Sequence, residues 1–214
     1  MTMTTAHPAP PARRRLGRLA ALVTAALAGL GVAAATVTPA GAATAPKFLS
    51  AGELPPHPAS PWYAGPVTSG VPDPLPFCFG EAVPASLSRY RQFWTEYDTS
   101  AQQVTVVERN TARAKSLATA LNKAIKTCAA RTEQQDPETT AEWKDYGRLN
   151  VEEGANVYGV HTAHAWGASD IHLFSVGRDG RTVTVVHWGQ MGDFRHAQVA
   201  DFKETTRTAV KKLY

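Results

Sequence analysis

The sequence predicts an α+β domain: a twisted antiparallel sheet of about six strands with two main helices, in the order ββαββββα, after an extended Pro-rich arm. Three observations predict it. Strand-like runs are joined by turn signals, two segments carry apolar residues at helical spacing, and hairpin-connected strands lie between those segments.

The first 42 of the 214 residues read as a signal peptide. Arg13, Arg14, Arg15 and Arg18 make a cationic start, Leu19 to Val37 is apolar and alanine-rich, and Ala40-Gly41-Ala42 is a small-x-small cleavage pattern. The paired arginines also permit twin-arginine export. Retention as an anchor is the alternative, since the apolar run approaches the roughly 20 residues of a membrane span, although its Ala, Gly and Thr lower its hydrophobicity. The expectation is a secreted protein whose mature chain starts near Ala43. Lys and Arg total 22 against 18 Asp and Glu, and four of those cations are the leader's arginines, so the remainder is balanced. A balanced surface excludes nucleic acid and, after cleavage, a membrane as partners, because both need a basic field.

Residues 43–76 form the arm. Ser50 to Leu54 reads as one capped turn, with Ser50 as N-cap and Glu53 three residues on. The stretch from Pro46 to Pro76 is too rich in Pro and Gly for a helix or central strand, and Trp62 and Tyr63 are expected to pin it to the domain.

The domain proper spans 77–214. Ser88 to Tyr97 and Gln102 to Arg109 make a hairpin around Asp98-Thr99-Ser100. In the first strand Tyr90 and Trp94 share one face and Arg89, Arg91 and Phe93 the other, so its sidedness is open. Asn110 is a suitable N-cap for a helix over Ala112 to Arg131, with Leu117, Leu121, Ile125 and Cys128 along one stripe. A polar loop, Glu133 to Thr140, leads into strands at Glu142 to Asn150, Asn156 to Thr162, Asp170 to Gly177 and Arg181 to Trp188. Asp179-Gly180 signals a hairpin between the last two. A closing helix over Ala197 to Leu213 turns Val199, Phe202, Thr206, Val210 and Leu213 to one side.

Cys78 and Cys128 are the only cysteines. An even count in an exported protein argues for a disulfide, worth about 4 kcal/mol on the chain-entropy model for so long a loop. Neither lies in a C-x-x-C pair or beside a histidine, which disfavours a catalytic thiol.

The segments "FLSAGELP", "NVYGVHT" and "HLFSVGRDGRTVTVVHWGQMGDF", with two cysteines flanking a hairpin and helix, resemble the actinobacterial sensor-domain proteins related to the extracellular domain of the PknH serine/threonine kinase. The resemblance implies an extracellular α+β domain with a ligand-binding cleft over an antiparallel sheet. The chain departs from that pattern in having two cysteines where the kinase's extracellular domain has two disulfides, and in showing no kinase domain or membrane anchor after the signal.

The stretch His161 to Phe174 holds three histidines. In a strand His161 and His164 point to opposite faces, and no Glu completes a helical H-E-x-x-H site. With Asp179-Gly180 as the central pair of a hairpin turn, His172 lies directly opposite His187 and Asp170 shares their face, a candidate metal set for a hydrolase. A three-residue loop instead sends His187 to the other face. Ser169-Asp170 beside His172 matches a triad in composition only, and no G-x-S-x-G, P-loop or dinucleotide motif occurs. "HWGQMGDFRH" offers a cleft rim at Gln190, Met191, Asp193 and Arg195. The leading expectation is a non-enzymatic sensor-like domain without cofactor, binding a small molecule or cell-envelope component through Tyr158, His172, Trp188 and Gln190. The alternatives are a metal-dependent hydrolase using Asp170, His172 and His187, and a structural cell-envelope protein.

Overall fold

The computed structural model describes residues 45–214; the expected leader lies outside them. The strands are β1 (Tyr63–Ala64), β2 (Thr68–Ser69), β3 (Ser88–Trp94), β4 (Ser100–Val107), β5 (Thr139–Leu149), β6 (Ala155–His164), β7 (Ser169–Asp179) and β8 (Thr182–Met191). The helices are α1 (Thr111–Lys126), α2 (Cys128–Gln135) and α3 (Val199–Lys211). The described residues thus form an α+β arrangement with one eight-stranded sheet, ordered β1-β3-β4-β8-β7-β6-β5, with β2 also paired to β3. All the pairings are antiparallel.

After β4 the chain leaves the sheet through α1 and α2 and re-enters at the far edge as β5. It then meanders back through β6 and β7, so that β8 closes against β4. Helix α1 covers one face of the sheet and α3 the other. On the α3 face Phe93, Val157, Leu173, Val186 and Trp188 pack with Phe202, Val210 and Leu213. On the α1 face Val104, Val176, Val183 and Val185 pack with Ala114, Leu121 and Ile125. Burial on both faces explains why β7 and β8 read as nearly unbroken apolar runs rather than alternating ones. Close approach of α3 requires a glycine beneath it, since a Cβ on Gly177 would lie 2.2 Å from Val210.

Four expectations are corrected. The sheet has eight strands rather than about six, because β1 and β2 from the Pro-rich arm pair along the edge of β3. The single helix over Ala112 to Arg131 is two helices meeting at Thr127. There the Thr127 hydroxyl donates to the Lys123 carbonyl at 3.0 Å and the Arg131 guanidinium to the Ala124 carbonyl at 3.0 Å, ending α1. Residues 133–140 are not a loop, as α2 runs to Gln135 and β5 starts at Thr139. The β7–β8 hairpin turns on Gly180-Arg181 rather than Asp179-Gly180: Asp179 pairs with Thr182, and Gly180 takes the positive φ of +52° at the first loop position.

Other local features follow the sequence directly. The Asn110 side chain accepts from the Arg113 amide at 2.9 Å and caps α1. The Glu53 carboxylate accepts from the Ser50 amide at 2.7 Å, closing the turn Ala51–Glu53. Cys78 and Cys128 are joined in a disulfide with Cα atoms 5.2 Å apart. Among the described residues no helix is long and apolar enough to cross a membrane.

Candidate functional site

Side chains on one face of a sheet line up in rows across strands. On the α1 face one row runs Tyr90, Val104, Val185, Val176 and lies under the helix. The next row toward the β3–β4 turn is Gln92, Gln102, His187, Phe174, and the one beyond it is Trp94, Ser100, Gly189, His172. Amides, imidazoles and small residues thus replace valines within the same strands. Above these two rows passes a strap, Pro74 to Phe77, anchored by the neighbouring Cys78–Cys128 disulfide. Between strap and sheet lies a cleft of about 450 Å³, bounded by Gln92, Trp94, Ser100, Gln102 and His187.

The cleft floor is a hydrogen-bonded chain. The Gln102 amide Nε2–H donates to His187 Nδ1 at 3.2 Å, which leaves His187 Nε2 carrying the proton and donating to His172 Nδ1 at 3.1 Å. Phe174 stacks on the His187 ring at 4.6 Å, and Phe77 from the strap packs on His172 at 4.8 Å. Burial holds the His172 imidazole well below the ordinary histidine range, at about 4, with the His161 charge a secondary cause. Burial, and then His172, push His187 well down too. Both rings are neutral at physiological pH. Gly189 makes their meeting possible, because a Cβ there would stand 2.8 Å from His172 Nδ1.

The shifted hairpin register explains the pairing. His172 lies opposite Gly189 and His187 opposite Phe174, so the two histidines are diagonal neighbours on one face rather than a directly opposed pair. Asp170 shares that face, opposite Met191. It completes no metal set: among the described residues no three His, Cys, Asp or Glu side chains are placed to hold an ion.

The four expected ligand contacts are separated by the sheet. His172 and Tyr158 lie on the α1 face, Trp188 and Gln190 on the α3 face, since residues of opposite parity on a strand point opposite ways. Tyr158 is buried and donates to Asn122 Oδ1 at 2.9 Å, tying sheet to α1. Burial, with Asp145 second, raises its phenol to about 12. Trp188 is fully buried in the α3-face core, and its indole N–H has no partner among the described residues. The Gln190 amide donates to the His196 carbonyl at 3.2 Å and accepts from Thr99 at 3.5 Å, joining two loops. The expected rim closes on itself: Arg195 grips Asp193 at 2.7 Å and holds its carboxyl far below the usual range. Met191 is exposed there.

The remaining histidines of the cluster go elsewhere. His161 Nε2–H donates to Ser169 Oγ at 2.8 Å, and that hydroxyl donates onward to the Gly192 carbonyl at 3.0 Å. The serine proton is therefore directed at a carbonyl and not at a base, the reverse of a nucleophile pair. His164 contacts Thr139 at 2.6 Å and stacks on the exposed Trp166. Sequence reasoning missed Trp94, Gln102 and Gly189. Their signal was parity: Gln102 continues the face of Val104 and Val106, and Gly189 that of Val183 and Val185.

No protein family, curated protein or solved structure matches the chain.

Proposed function

We propose that the protein is a secreted, non-enzymatic binding domain that takes an uncharged ligand, a small molecule or a cell-envelope component, in the cleft between strap and sheet. One observation carries the reading: on a single sheet face, rows of valine give way to neutral polar and small residues where the helix stops and an aromatic-walled cleft opens. Gln102 and His187 hold each other in place, so the cleft floor is pre-organised rather than pliable. The disulfide, together with the export signal expected from the sequence, supports a site outside the cell. Catalysis has less to stand on, since neither the serine nor the histidines are arranged as nucleophile, base or metal set.

The test is ligand-observed NMR of the purified protein against mixed neutral, anionic and cationic small molecules, repeated with Trp94→Ala. Neutral compounds that bind the parent and not the variant support the reading. Binding only by charged compounds, or binding indifferent to Trp94, sinks it.

A further inference from the structure

We infer that the cleft takes a neutral saccharide, its ring laid against Trp94 and its hydroxyls held by the amides of Gln92 and Gln102. This rests on the binding reading above and names the ligand class for the same site.

The charge balance of the cleft comes first. Among the described residues that line it, none is Asp, Glu, Lys or Arg. An ionised ligand would lose water there without gaining a counter-charge, a large penalty. Uncharged ligands remain.

The aromatic wall narrows the class. Tyr63 and Trp94 are directly paired across β1 and β3, with ring centroids 6.2 Å apart and planes 20° from parallel. Of the two only Trp94 lines the cleft, and it stays 47% exposed, so a ligand seated on it keeps one side in water. A purely apolar ligand calls for an enclosed pocket. A pyranose suits a half-open wall, because it carries C–H groups on one face and hydroxyls around its rim.

Polar geometry supplies the third argument. One amide hydrogen of Gln102 is engaged by His187, which Phe174 and His172 fix from two other directions. The carbonyl and second N–H of Gln102 remain, an acceptor beside a donor. Neighbouring sugar hydroxyls each donate and accept, so such an amide can satisfy two at once. Gln92 sits directly across from Gln102 and adds a second amide, and Ser100 a hydroxyl.

The experiment follows the indole N–H signals of the five tryptophans in ¹H–¹⁵N spectra, with the Trp94 signal identified through Trp94→Phe. The probes are the neutral trisaccharides of glucose (β-1,4 and α-1,4) and of N-acetylglucosamine (β-1,4), and, separately, indole as a neutral aromatic. The expected result is a saturable shift of the Trp94 signal by at least one trisaccharide, with the affinity reduced about tenfold in Gln102→Ala. A shift caused by indole and by no trisaccharide overturns the saccharide assignment and leaves the binding cleft standing. Saccharide binding that spares Trp94 and persists in Gln102→Ala overturns the assignment as well. If neither kind of probe moves the Trp94 signal, the assignment and the cleft reading fall together.

Discussion

Two ends of one sheet face carry opposite instructions in the same strands. Under α1, β4 and β8 offer Val104, Val106, Val183 and Val185, all essentially inaccessible to water. A few residues along, the same strands offer Ser100, Gln102, His187 and Gly189, which among the described residues stand outside the cluster packed under α1. The first end is shaped for close packing; the second keeps polar groups beside an open cleft, with the two imidazoles and one Gln102 N–H bonded to each other. A strand that changes from β-branched to amide, imidazole and glycine on one parity therefore marks where core ends and site begins.

The largest effects should come from treating the two ends alike. Ile125→Ala, in the covered end, should lower unfolding free energy by about 2–5 kcal/mol in urea titrations and leave cleft binding intact. Gln102→Ala, in the open end, should change stability by no more than about 1–2 kcal/mol and weaken binding. Equal stability losses with binding unchanged in both would erase the distinction. Replacing Cys78 and Cys128 together by Ser should remove about 2–5 kcal/mol and also release the strap, so that stability and ligand affinity fall together.

Between about pH 7 and 4.5, largely above the range where carboxylates take up protons, acid should act chiefly on the open end. Both cleft imidazoles are held neutral by burial, so their folded pKa values lie below the unfolded value near 6.5. Between about pH 6.5 and the folded value of about 4 for His172, the unfolded chain binds more protons than the folded one. Stability is therefore complete above the unfolded pKa and declines as pH falls, by up to about 1.4 kcal/mol per pH unit for each imidazole. Urea midpoints measured from pH 7 to 4.5 should show this slope. The double variant His172→Asn/His187→Gln should flatten it; an unchanged slope would place the acid sensitivity elsewhere.

Gly189→Ala gives a smaller effect, about 1–3 kcal/mol, because its Cβ would crowd the His172 ring at 2.8 Å and part the two imidazoles. The imidazole ¹⁵N shifts of His187 report it directly. If they stay as in the parent, the two rings are not held together by this glycine.

Much of the architecture was legible in the sequence because it rests on local rules. Asn110 caps as its side chain dictates, the apolar stripe of α3 lands on the sheet, and Cys78 bonds Cys128. The site was less legible because it depends on pairing across distant strands. The hairpin turn lies one residue further along than the Asp-Gly signal suggests, and that shift decides which residue faces His172. Parity survives the shift, so the common face of His172 and His187 was readable, whereas their diagonal contact through the space at Gly189 was not. The sequence alone groups Trp188 and Gln190 with His172 in one expected pocket. Alternation along β8 puts them on the far side of the sheet.

That far side supplies the smallest predicted effect and the sharpest contrast with Trp94. Trp188 is fully buried against the α3-face core, with an indole N–H that has no partner among the described residues. Trp188→Phe removes the unpaired donor, whose burial costs about 1–3 kcal/mol, and loses part of the packed ring, a penalty below the roughly 3–5 kcal/mol of truncation to alanine. The two terms oppose each other, so the net change in urea stability should stay within about 1 kcal/mol. Ligand affinity should not change, because the whole thickness of the sheet separates this ring from the cleft, whereas Trp94→Ala should abolish binding and barely alter stability. If Trp188→Phe instead weakens binding as much as the Trp94 substitution does, the ligand is reached through the α3 face, and the division between a covered and an open end no longer locates the site.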